Sequence, residues 1–106
     1  MHNTNYIIDN VKEQLVPLLP NGSKLVLFGS RARGDAHSES DWDMLLLLDK
    51  PRIESLDFKK YAYPLVSYGW NIGEYFSVKL YTIDDWAKRK GSAFYNNIAK
   101  EGIVLC

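Results

Sequence analysis

Apolar residues near the start of the chain recur at Ile7, Ile8, Val11, Leu15, Leu18 and Leu19. Steps of three and four put such residues on one helical face, so the pattern predicts a helix over residues 5–19. Pro17 lacks an N–H and is expected to kink or end it. Pro20-Asn21-Gly22-Ser23 then signals a turn. Beyond it the period changes. Lys24 to Phe28 is a short apolar run suited to a buried strand. Asp41 to Asp49 predicts a second strand, and the unbroken run Met44 to Leu48 suggests cover on both faces. Gly29 to Gly34 directly follows the first strand, and Asp35 to Ser40 is polar and loop-like.

The second half alternates again. Glu54 to Trp70 has helical periodicity through Leu56, Lys60, Tyr63 and Ser67, weakened by Pro64. Tyr75 to Thr82 predicts a third strand. Asp84 to Lys90 starts acidic and ends basic, which suits a short helix and its dipole. Gly91 breaks it, and Ser92 can cap a further helix through Lys100 that stops at Gly102. Ile103 to Leu105 is a terminal apolar run. Strands mixed with helices predict an α/β or α+β fold with a small mixed sheet flanked by helices. At 106 residues, one domain spanning 1–106 is expected.

Composition narrows the function classes. Lys plus Arg and Asp plus Glu each count 13, so no global basic field exists to hold nucleic acid. No apolar run approaches the length of a membrane span. The first ten residues are polar and lack the apolar centre of a signal peptide. The lone Cys106 rules out a disulfide within the chain and fits a reducing, cytoplasmic setting.

The informative chemistry is Gly29-Ser30, ten intervening residues, then Asp41-Trp42-Asp43. A glycine after a buried strand lets the backbone turn sharply and lets a phosphate approach. Ser30 adds a hydroxyl and an N–H at the start of a short helix. Alternate residues of a strand share a face, so Asp41 and Asp43 are expected to point the same way. Two ionised carboxylates so close repel each other, and a divalent cation removes that cost. Mg²⁺ takes hard oxygen ligands and shares them with substrate phosphates. The spacing therefore describes a loop for a triphosphate beside an acid pair for a metal.

The string Leu27-Phe28-Gly29-Ser30-Arg31-Ala32-Arg33-Gly34-Asp35, followed by Ser40-Asp41-Trp42-Asp43-Met44-Leu45, resembles the DNA polymerase β-like nucleotidyltransferases. The match is best with the minimal nucleotidyltransferase group, which includes antitoxin partners of HEPN-domain proteins. The tail from Trp86 to Leu105 is also similar to that group. The resemblance implies that Gly29 and Ser30 bind the triphosphate of ATP or another nucleotide, with Arg33 helping to neutralise it. It implies that Asp41 and Asp43 bind Mg²⁺ as the catalytic pair. The implied reaction moves NMP, with AMP from ATP as the leading version, to a hydroxyl on another chain such as a HEPN toxin. A catalytically weak or inactive nucleotide-binding antitoxin or partner protein acting by occlusion is the alternative, and self-association is left open. The family adds a third carboxylate from a later strand. Here Tyr75, Ser77, Lys79 and Tyr81 share a face and none is acidic, while Glu74 sits at the strand's edge.

Simpler roles are expected elsewhere. Arg31 divides between a phosphate contact and a solvated surface position. Lys79 is open to a phosphate or to Asp41 and Asp43. Asp35 starts a turn or orients Arg33. Trp42 should turn away from its acidic neighbours and pack. His37 is expected in solvent, and His2 near the chain start carries no role. Tyr61, Tyr63, Tyr68, Trp70 and Tyr75 form an aromatic region that serves the core or a partner surface.

Overall fold

The computed structural model describes residues 3–106, so His2 lies outside the described residues. Helix α1 (Thr4–Gln14) starts where Asn3 accepts from the Tyr6 N–H. It buries Ile7, Ile8 and Val11. It ends earlier than its apolar pattern predicts. Pro17 cannot donate to residue 13, and the chain tightens into a single 3₁₀ turn, Val16–Leu18. Leu18, expected on the buried face, is 63% exposed as a result.

Strands β1 (Lys24–Phe28) and β2 (Trp42–Leu48) pair antiparallel, joined through the one-turn helix α2 (Ser30–Arg33) and the loop after it. Strand β3 (Phe76–Thr82) lies parallel to β2, and the two-residue β4 (Ile103–Val104) lies antiparallel to β1. The sheet order is β3-β2-β1-β4. A parallel pair needs a crossover, which α3 (Tyr63–Asn71) supplies.

That crossover departs from expectation. Residues 54–56 are not helical. Asp57 opens the segment, and Phe58–Ala62 form a π turn in which the Tyr63 N–H reaches the Phe58 carbonyl. The wider turn accommodates Pro64, which has no N–H to give. The expected stripe of Leu56, Lys60, Tyr63 and Ser67 is not the core face. Leu56 and Tyr63 are exposed, and Ala62, Leu65, Val66 and Gly69 are buried instead. Pro64 shifts the start of the regular helix and so rotates which residues face the sheet.

Two apolar clusters result, one on each sheet face. The larger gathers α1 and α3 over Leu25, Leu27, Trp42, Met44, Leu46, Leu48 and Phe76. The smaller sets α4 (Ile83–Ala87) and α5 (Ala93–Glu101) over Phe28, Leu45 and Leu47. This explains the unbroken apolar run Met44 to Leu48, since every one of those residues is buried. Helix α4 is capped by the buried Thr82, whose Oγ1 accepts from the Asp85 N–H. The basic run follows that helix, and the Arg89 guanidinium stacks over Tyr81 at 4.6 Å. Helix α5 begins at Ser92, as expected, with Oγ accepting from the Tyr95 N–H.

Candidate functional site

The second sheet face is covered by apolar side chains along most of its length but carries Asp43 at one end. Asp43 shares its side of β2 with Leu45 and Leu47, and its register partners are Phe28 on β1 and Ser77 on β3. β1 stops at Phe28, so Gly29 turns off the sheet beside Asp43. Gly29 is buried with φ +75°, a left-handed region where a side chain is strained. A Cβ placed on it would overlap the Asp43 Oδ2. The glycine is thus required twice, by its own turn and by the carboxylate pressed against it.

Asp41 lies just before β2 rather than within it, because the ladder begins at Trp42. The Trp42 N–H donates to the Tyr75 carbonyl at 2.8 Å. Asp41 is exposed, yet its charge still reaches Asp43. Burial pushes the Asp43 carboxyl above the usual aspartate range, and the Asp41 charge adds to this. Lys79 and Arg33 partly oppose the rise, and Glu101 weakly assists it. Among the described residues no donor is hydrogen-bonded to the Asp43 carboxylate, and no three acidic, His or Cys side chains converge as a ready-made metal site.

Ser30 opens α2, a single turn whose first N–H groups have no partner inside the helix. One turn carries little macrodipole, so any anion there is held by local N–H groups and charges. Arg33 is half exposed. Its Nε donates to Asp35 Oδ2 at 3.1 Å, so Asp35 does orient it. Its Nη1 donates to both Glu101 oxygens at 3.2 Å.

Arg31 is neither solvated nor aimed at the corner. Its side chain is 10% exposed and stacks 4.6 Å over Trp42. It donates to the carbonyls of Ser38 and Ser40 and to Glu74. It fastens the loop that delivers Asp41 onto the folded core. Glu74 is occupied in the same way, accepting from Arg31 and from the Trp42 indole at 3.0 Å. It therefore does not stand in for the third acid. Trp42 packs as expected, fully buried beside Phe76. His37 is exposed in the loop. The aromatic region divides, with Tyr61 and Tyr68 against the core and Tyr63, Trp70 and Tyr75 about half exposed. Trp70 and Tyr75 line a cavity of about 340 Å³ with Ser38, Ser40 and Glu74, the last three of which are also Arg31 partners.

The residue that sequence reasoning missed is Glu101. Its Oε1 accepts from the Gly29 N–H at 3.2 Å across 72 positions of chain. A signal for it exists. Phe94, Ile98 and Glu101 are spaced four and three apart, so the acid continues the apolar face of α5.

A family model described as a nucleotidyltransferase domain matches residues 8–101. No curated protein matches the chain. Among solved structures, a toxin–antitoxin crystal structure with AMP-PNP is 23% identical with a TM-score of 0.56, covering 99% of this chain and 73% of that one. A mutant of the toxin–antitoxin MntA–HpeT is 22% identical with a TM-score of 0.51, over the same shares of each chain. At those identities the likeness is one of fold. Among the described residues, no helix is long and apolar enough to cross a membrane. The family match, running from Ile8 to Glu101, takes in every residue of the corner between β1 and β2, and the chain belongs to the nucleotidyltransferase domain family.

Proposed function

We propose that this chain transfers NMP from a nucleoside triphosphate, AMP from ATP in the leading version, to a hydroxyl on a partner protein. The observation that carries the reading is the apposition of Gly29 and Asp43, which leaves a bare backbone corner against a carboxylate. Asp43 is drawn from water with Asp41 nearby and has no donor of its own. That is an acid pair short of a cation, and it fits Mg²⁺, which would be held by Asp41 and Asp43 with phosphate oxygens completing its shell. When bound, the metal would neutralise charge building on the α-phosphate and pyrophosphate.

The chain's own residues supply the rest. The Gly29 and Ser30 corner and Arg33 bind the triphosphate. The acceptor oxygen bonds to the α-phosphorus as the bond from that phosphorus to the α–β bridging oxygen breaks, pyrophosphate leaves, and the hydroxyl proton passes to solvent. The toxin–antitoxin proteins sharing this fold support a toxin as that partner, and the motif resemblance supports a HEPN protein.

Incubating the chain and its partner with Mg²⁺ and ATP labelled on the α-phosphate tests this. Label on the partner, lost in Asp43→Ala, is the expected result. Absence of label on every candidate hydroxyl, with the nucleotide bound, would sink the enzymatic reading.

One observation favours a second reading. The β3 residues beside Asp43 are Ser77 and Lys79, not an acid, so the attacking hydroxyl has no evident base. On this reading the chain binds nucleotide but neutralises its partner by covering it. The Asp41→Ala, Asp43→Ala double variant would then still inhibit.

A further inference from the structure

Glu101 sits where an anion is least expected on local grounds. It is the last residue of α5, where the helix dipole favours a positive charge. It also lies close enough to Asp43 to raise that carboxyl. The fold nonetheless holds it there. Phe94 and Ile98 anchor α5 against Phe28 and Trp86. At Gly102 an added Cβ would meet the Ile98 carbonyl at 2.6 Å and Val26 at 2.7 Å, so the end of α5 closes tightly onto β1.

The Glu101 side chain is only 20% exposed, and its carboxylate takes two donors, the Gly29 N–H and Arg33 Nη1. Those are a backbone N–H and a guanidinium at the proposed phosphate corner. A phosphate oxygen would need the same pair, and one N–H cannot serve both acceptors at full strength. We propose that Glu101 is a positioning residue that occupies the phosphate corner in the nucleotide-free protein and yields its two donors to the incoming triphosphate. The proposal rests on the nucleotide-binding reading above. It adds that binding is an exchange of one anion for another. By engaging both donors until a stronger anion displaces it, the carboxylate sets a threshold that a weak or singly charged ligand does not pass.

Calorimetric titration of tripolyphosphate and of MgATP into the intact chain tests the exchange. Glu101→Ala is expected to bind both about tenfold tighter than the parent. Glu101→Gln keeps an acceptor for Gly29 but loses the charge, so a smaller gain is expected. Adenosine, which has no phosphate, should show no difference. Damage to the fold would weaken binding, so a gain separates exchange from a structural role. Glu39→Gln removes an acid that touches neither donor and is expected to change affinity less than about twofold. Unchanged or weaker affinity in Glu101→Gln with a parental melting profile overturns the proposal. So does an equal gain in Glu39→Gln. If the parent binds and the Glu101 variants gain nothing, only the exchange fails. If parent and variants all give no heat with either ligand, the nucleotide-binding reading fails and takes the exchange with it.

Discussion

Asp57 and Asp43 are both carboxylates drawn away from water, and the protein treats them in opposite ways. Asp57 is 4% exposed and fully partnered. It accepts from the Glu54 N–H at 2.7 Å and from Lys50 Nζ at 2.8 and 3.0 Å. The backbone bond chiefly, and then Lys50, hold its carboxyl below the usual aspartate range. Asp43 receives no such donor, and burial with the Asp41 charge holds it above that range. Asp57 closes the chain between β2 and α3 and serves the fold. Asp43 carries a charge at the end of a sheet that Lys79 and Arg33 offset only in part and no hydrogen-bond donor among the described residues meets, and on the function proposed above a cation would offset the rest.

The sharpest way to break this contrast is to remove each acid and read both activity and stability. Asp43→Ala is expected to lower transfer by about a thousandfold, as several kcal/mol of charge stabilisation vanish with the metal. Asp57→Ala should leave transfer per folded molecule within about twofold, because no Asp57 contact reaches the corner. Equal losses in a label-transfer assay would show that the two sites are not separate.

Gly29→Ala comes next and should strike the corner and the fold together. The φ of +75° and the overlap with Asp43 are expected to cost about 1–3 kcal/mol in a urea melt. The shifted carboxylate should also weaken MgATP binding. A variant with parental stability and affinity would mean that the turn relaxes without moving Asp43.

Asp57→Asn reads the partnered acid through pH. A lowered folded value means stability that is present above the unfolded value and lost as pH falls through the folded one. The variant should melt several degrees lower near neutral pH, and the gap should close as the parent's Asp57 becomes protonated. A gap that persists at the acid end would assign the loss to packing rather than charge.

The same contrast explains what the sequence could say. The pairing of Gly29 with Asp43 was legible because β1 and β2 are adjacent runs with strong strand patterns, and their register sets Phe28 beside Asp43. Three features were not. The start of α3 depends on Asp57 gathering Lys50 and the Glu54 N–H, and on a π turn ahead of Pro64, neither of which leaves a periodic trace. The sequence divides Arg31 between a phosphate contact and a solvated cation, yet its role is fixed by carbonyls of a loop without regular structure. Glu101 meets Gly29 only after α5 has docked and closed at Gly102. Chain-distant contacts of this kind follow from packing, and local pattern cannot rank them.

The smallest expected effect sharpens the comparison most, because its sign is opposite to that of Asp57. A raised folded value means that Asp43 favours the folded state while protonated, and that this advantage is lost as pH rises through the folded value. At neutral pH the ionised side chain is a cost that Asp43→Asn removes. Without metal, the variant should melt about 2–4 °C higher than the parent. The gain should shrink as pH falls and the parent's Asp43 takes up its proton. Mg²⁺ with a non-hydrolysable nucleotide should then stabilise the parent by mass action and leave the variant nearly unmoved, reversing their order in a thermal scan. A variant less stable than the parent at neutral pH would mean that Lys79 and Arg33 already compensate Asp43, and the carboxylate would lose its claim to be waiting for a cation.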